Sequence, residues 1–221
     1  MKKTKIEDTV CFTGHRSQKL PWGFNEKDER CFITSLYAYV EIEGAIKSGK
    51  KHFISGMALG FDMMCAEIVL ELKKKYEHVS LECAIPCNGQ ELRWPLSEQN
   101  RYKKIVSQAD KITIISNVYT NECMHERNKY MIDNSSLVIA LFNGKSGGTK
   151  LTIDYAKSQN KDIVIIRPKE NRVLSEEDVK IMFEIYRDGK DVVELIHNYY
   201  DKVPIKELDD EVIRKLKNQI K

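Results

Sequence analysis

Short β-branched runs alternate with longer segments of helical period along most of this chain, the signature of a parallel sheet with helical crossovers. The apolar runs cover residues 10–12, 52–54, 79–85, 111–115, 137–142 and 163–166. Several are continuous rather than alternating, as strands buried on both faces require. Between them Phe61, Met64, Cys65, Ile68 and Leu72 recur at helical spacing. Phe32, Leu36, Tyr39, Val40 and Ile46 outline a second helix, which Gly49 is placed to end. The pattern predicts an α/β fold: a Rossmann-like, mostly parallel sheet of about six strands flanked by helices, filling residues 1–168.

Pro168 closes that pattern, and residues 169–221 carry 11 basic and 13 acidic side chains, net −2. Ile205, Leu208, Val212, Leu216 and Ile220 form a helical stripe behind Pro204, so these residues are expected to be a charged helical C-terminal extension. Of the 221 residues 42% are hydrophobic, enough for a core. The net charge of +3, from 36 basic and 33 acidic residues, argues against a dedicated nucleic-acid binder and leaves room for one basic pocket. The longest apolar run, residues 137–142, falls far short of the ~20 residues that span a bilayer. No apolar h-region follows the early lysines, so a cytoplasmic protein without a membrane partner is expected. The six cysteines lie mostly in apolar segments and read as buried thiols. Cys83 and Cys87 have no histidine at finger spacing, and neither a metal nor a resident cofactor is expected.

Glycines follow three of the strands. The loops are Thr13, Gly14, His15, Arg16; then Ser55, Gly56, Met57, Ala58, Leu59, Gly60, Phe61, Asp62; then Gly144, Lys145, Ser146, Gly147, Gly148, Thr149. In an open parallel sheet these loops share the carboxyl edge, where ligands bind. A helix starting directly afterwards aims free N–H groups and its positive dipole end at that space, which suits phosphate. Neither GxGxxG nor GxxxxGK[ST] is present, which disfavours a standard dinucleotide fold or a P-loop kinase. Arg16 has the planar fork that matches phosphate oxygens. His15 fits either a ligand contact or a buried histidine. Asp62 fits either a helix cap or a ribose contact.

A helical projection of residues 122–134 places Arg127 and Asn128 on the apolar face with Met124 and Met131. An inward arginine must find a partner, either an anionic ligand or an internal carboxylate. His125 and Glu126 begin like HExxH, but residue 129 is lysine, which excludes the zinc-protease reading. No nucleophile constellation is visible around Ser55, Ser135 or Ser146.

Taken together, these motifs resemble the YpsA-like branch of the SLOG superfamily, the Rossmann-like group that also holds DprA and the lonely-guy phosphoribohydrolases. The resemblance runs over residues 7–168. It rests on Cys11 through Arg16, on Ser55, Gly56, Ala58, Gly60 and Asp62, on Pro86, Gln90 and Trp94, on Met124 through Asn128, and on Gly147, Gly148 and Thr149. It implies a nucleotide or an NAD- or ADP-ribose-derived ligand along the glycine loops, held as by a sensor or sequestering protein. The nucleotide-binding residues would be Gly14, His15, Arg16, Ser55, Gly56, Gly60, Asp62, Arg127, Asn128, Gly147, Gly148 and Thr149. Gln90 and Trp94 would line the base or substrate side, with Trp94 equally suited to the core.

Lonely-guy enzymes look like M-x-x-R-K followed by P-G-G-x-G-T-x-x-E. Here Asn128 replaces the lysine and Thr152 stands at the glutamate position. Threonine cannot act as a base near neutral pH. An enzyme, if this is one, would be a nucleoside-monophosphate phosphoribohydrolase-like N-glycosidase whose carboxylate is not identifiable. A DprA-like single-stranded DNA module is the third reading, for which Trp22, Trp94 and Tyr102 are the available aromatics. Relatives with this fold are often dimers, which points to a homo-oligomer.

Overall fold

The structure, a computed structural model, describes residues 5–171, 175, 177, 178, 180 and 181. Six strands, β1 (Thr9–Gly14), β2 (His52–Ser55), β3 (Ser80–Cys87), β4 (Lys111–Ser116), β5 (Leu137–Leu141) and β6 (Asp162–Ile166), form one sheet in the order β4-β3-β2-β1-β5-β6. Every pairing is parallel. The chain steps outward from β1 to β4, then returns to β1's other side for β5 and β6. The order therefore reverses beside β1 and β5, the topological switch point at which a crevice opens above the strands' carboxyl ends. The Rossmann-like fold expected from the alternating runs is the one found, and each predicted run falls on a strand. The expected helical extension lies outside the described residues beyond Ile181.

Burial explains why some runs looked continuous. In β1, β2, β3 and β5 nearly every residue is buried, whereas the edge strands β4 and β6 keep exposed positions. Helices α1 (Glu29–Lys47), α2 (Phe61–Lys75) and α3 (Leu96–Gln108) cover one face, against Phe12, Phe53, Leu81, Cys83, Ile139 and Leu141. Helices α4 (Cys123–Asp133) and α5 (Gly148–Ser158) cover the other, where Met131, Ile132 and Ala156 meet Cys11, Ile54, Ala84 and Val138. All six cysteines are buried free thiols. Beyond β6 the chain packs back on α1: Tyr37 donates to Asp178, Lys169 pairs with Asp178, and Ile181 is buried in the core. Among the described residues no helix is long and apolar enough to cross a membrane.

The helix starts differ in a way that matters for the site. α1 opens on Asp28, whose carboxylate accepts from the Arg30 N–H at 3.0 Å, an ordinary N-cap. α2 and α5 open instead on Gly60 (φ +94) and Gly147 (φ +144), with no capping side chain. Both backbones are in regions that residues with a Cβ rarely adopt. Both helices consequently present uncapped N–H groups at the carboxyl edge.

Candidate functional site

Three loops and two helices line a cavity of about 550 Å³ at this edge. The loop after β1 contributes Arg16, Ser17 and Gln18, with Phe24 and Glu26 further along. The loop after β2 gives Ala58 and Leu59, and the loop after β3 gives Gln90, Arg93, Trp94 and Pro95. Ser97 and Glu98 of α3 and Met124 of α4 complete the wall. Arg16 and Arg93 are exposed, and their side chains form no hydrogen bond or ion pair among the described residues. Trp94 packs edge-on against Tyr102 (centroids 5.6 Å apart) and also lines the cavity. Gln90 donates to the Met57 carbonyl at 3.3 Å, across two loops, and Met57 holds a left-handed backbone (φ +56) unusual for a residue with a side chain.

Beneath the cavity, α4 buries Arg127 as its projection predicts, at 5% exposure. Its partner is internal. Arg127 Nη1 donates to the Gly56 carbonyl and lies 3.6 Å from Asp62 Oδ2, while its Nε donates to Asn128 Oδ1 at 2.9 Å. Burial pushes the Asp62 carboxyl up, against the opposing charges of Arg127 and Arg16 and the Ala58 N–H bond at 3.4 Å. Burial likewise lowers Arg127. For both groups burial is the largest influence, and the opposite charge of the partner opposes it. Arg127 thus braces the β2–α2 loop instead of lining the cavity. Gly56 is required by the same contact, since a Cβ there would overlap the guanidinium and lie 2.8 Å from Asp62 Oδ2. Ser55 is also spent internally: its hydroxyl donates to the Asp62 carbonyl and accepts from the Met57 N–H.

On the other side of the first loop, His15 bridges β5 and α5. The Asn143 N–H donates to His15 Nε2 at 3.3 Å, so the ring proton belongs on Nδ1, which faces Thr149 Oγ1 at 3.4 Å. Burial lowers the His15 pKa below its ordinary 6.5, with Lys19 and Lys145 adding to the effect. The neutral ring therefore donates to Thr149, whose own hydroxyl hydrogen has no acceptor among the described residues. Lys19 sits directly over the uncapped start of α5: a Cβ on Gly147 would lie 2.8 Å from its ammonium nitrogen. Gly148 has open space around it, and Asn128 reaches α5 by donating to Thr152 at 3.0 Å.

The structure thus divides the expected nucleotide-binding residues into three groups. Arg16, Gln90 and Trp94 line the cavity. His15, Gly147, Gly148 and Thr149 gather at the start of α5. Ser55, Gly56, Asp62 and Arg127 form a buried brace below, and Asn128 joins that brace to α5. Gly14 supports packing, since a Cβ would come within 2.5 Å of Phe61 Cβ, and Gly60 supplies the backbone turn into α2. The sequence reading missed Phe24, Glu26, Arg93 and Glu98, which lie in stretches without glycine motif or periodicity. Trp22 and Tyr102 are each 6% exposed, which removes them from the surface that DNA stacking would need. Thr152 is buried and donates to the Gly148 carbonyl, so no carboxylate occupies the position where lonely-guy enzymes carry one.

A family model described as the YspA SLOG family matches residues 10–170, from the second residue of β1 through the end of the sheet. The chain belongs to the YspA SLOG family. Its relatives include the uncharacterized SPbeta prophage-derived protein YoqJ of Bacillus subtilis, 32% identical over 134 residues, covering 55% of this chain and 78% of YoqJ. A UPF0398 protein of Brevibacillus brevis is 28% identical over 173 residues, 75% of this chain and 90% of that protein. Among solved structures, DNA processing protein A (DprA) from Streptococcus pneumoniae aligns with a TM-score of 0.45 at 15% identity, over 82% of this SLOG chain and 56% of DprA.

Proposed function

We propose that this SLOG protein binds a phosphorylated, nucleotide-type ligand in the cavity at the carboxyl edge and acts as a sensor or sequestering protein. The observation that carries the reading is Arg16: an arginine without a side-chain partner among the described residues, lining a 550 Å³ cavity beside the uncapped start of α2. Arginine in this position suits bidentate contact with phosphate oxygens. Lys19 and the Thr149 hydroxyl at the start of α5 offer further donors for a phosphate, and Trp94 offers an aromatic wall for a base. The filled hydrogen bonding of Thr152 supports binding without glycosidic cleavage.

Calorimetric titration with AMP, NAD and ADP-ribose, followed by chromatography of each mixture, tests this. The reading expects heat from at least one of them and recovery of that ligand intact. Release of free base would make the protein an N-glycosidase. Absence of heat from all three would remove the nucleotide reading and leave single-stranded DNA, whose binding would weaken steeply with salt.

A further inference from the structure

The cavity also carries the opposite charge from Arg16, and among the described residues a single cation, Arg101, pairs with it. Arg101 of α3 makes a two-point fork with Glu67 of α2, Nε to Oε1 at 2.8 Å and Nη2 to Oε2 at 2.6 Å. That fork already satisfies one guanidinium with one carboxylate. Two more carboxylates crowd the same Nη1: Glu26 at 2.8 Å and Glu98 at 3.4 Å. Three carboxylates thus share one arginine, and the two surplus ones line the cavity. Burial pushes the Glu26 carboxyl up, Arg101 opposes that, and the Glu67 and Glu98 charges add to the rise. Neither Arg16 nor Arg93 forms an ion pair with either glutamate among the described residues.

The two charges act on different turns of α2. Arg16 acts on Asp62, in the first turn, whereas the carboxylates gather around the partner of Glu67. Five residues of helix separate Asp62 from Glu67, roughly 7.5 Å of rise. Trp94 and Phe24 line the same cavity. A cavity lined by a guanidinium without a side-chain partner among the described residues, by surplus carboxylates and by aromatic rings complements a ligand that carries both charges.

Resting on the nucleotide-binding reading above, we propose that the site selects phosphorylated ligands bearing a positively charged ring, with the phosphate at Arg16 and the cation at Glu26 and Glu98. The two glutamates are then specificity-determining residues. They are suited to testing because Glu67 holds Arg101 without them, so Glu26→Gln and Glu98→Gln should leave the α2–α3 contact intact.

The test compares two isomeric probes, 1-methyladenosine 5′-monophosphate, whose ring is cationic at neutral pH, and the neutral N6-methyladenosine 5′-monophosphate. By calorimetry the wild-type protein should bind the cationic isomer about tenfold more tightly. The Glu26→Gln/Glu98→Gln double variant, shown to be folded by its melting curve, should lose that preference while still binding the neutral isomer as the wild type does. Equal affinity for both isomers, or a preference for the neutral one, overturns this inference and leaves the nucleotide reading standing. Binding of neither isomer overturns both. A cation preference that survives in the folded double variant removes Glu26 and Glu98 from the selection.

Discussion

Two buried carboxylates under the same helix have opposite fates. Glu82, near the amino end of β3, is 1% exposed, and four side chains from three elements besides its own surround it. His52 of β2 lies at 2.8 Å, Lys111 and Thr113 of β4 donate at 3.0 and 2.6 Å, and Tyr130 of α4 donates at 2.7 Å. Burial pushes that carboxyl up, yet the hydrogen bonds together outweigh it and hold the pKa down at about 2. Asp62, at the carboxyl edge, is 5% exposed with one long N–H bond and one guanidinium at 3.6 Å, and its pKa is raised. Tyr130 and Arg127 stand three residues apart on α4, so one helix serves both networks. The amino-end network holds strands together through many hydrogen bonds, whereas the carboxyl-end pair braces one loop below the cavity with fewer.

The brace should give the largest effect. Arg127→Met leaves a buried carboxylate alone and should cost about 3–5 kcal/mol in denaturant unfolding. Adding Asp62→Leu should return more than half of that loss, since replacing both partners by apolar groups removes the unpaired charge. If the two single losses simply add in the double variant, Asp62 and Arg127 do not act as a pair.

Glu82 should come next, with a distinct pH signature. Its carboxyl is lower when folded (about 2) than its ordinary 4.5, so the stabilisation is present above pH 4.5 and is lost as pH falls through about 2. The difference corresponds to roughly 3 kcal/mol at neutral pH. Glu82→Gln should therefore cost about that much at pH 7, with the gap to wild type closing as the pH approaches 2. A gap independent of pH would mean that shape, and not charge, is what the strands require there.

How much of this was legible beforehand follows from how local each signal is. The strands showed because central positions such as Val10, Phe53 and Val138 are apolar on both faces, which leaves no alternation to misread. Arg127 showed because its neighbours Met131 and Ile132 fix the buried side of α4. Its partner did not, because Asp62 lies 65 positions away and pairing across the sheet leaves no mark on local periodicity. The same limit hid the acidic wall: Glu26, Glu67 and Glu98 are scattered singly, and only the packing of α3 on α2 gathers them around Arg101. The packing partners of two glycines were hidden for a related reason. Gly14 and Gly56 fit a ligand loop by spacing, but the atoms that exclude a Cβ belong to Phe61 and Arg127.

The smallest structural effect belongs to the residue on which the functional account depends. Arg16→Ala should change stability by no more than about 0.5 kcal/mol, because the side chain is exposed and bonds to nothing among the described residues. The decisive measurement is calorimetric titration of wild type and Arg16→Ala with AMP and with adenosine, which differ only in the phosphate. The account predicts that wild type binds AMP at least tenfold more tightly than adenosine, and that the gap collapses in a folded Arg16→Ala. A gap of unchanged size in that variant, or equal binding of AMP and adenosine by wild type, would contradict it.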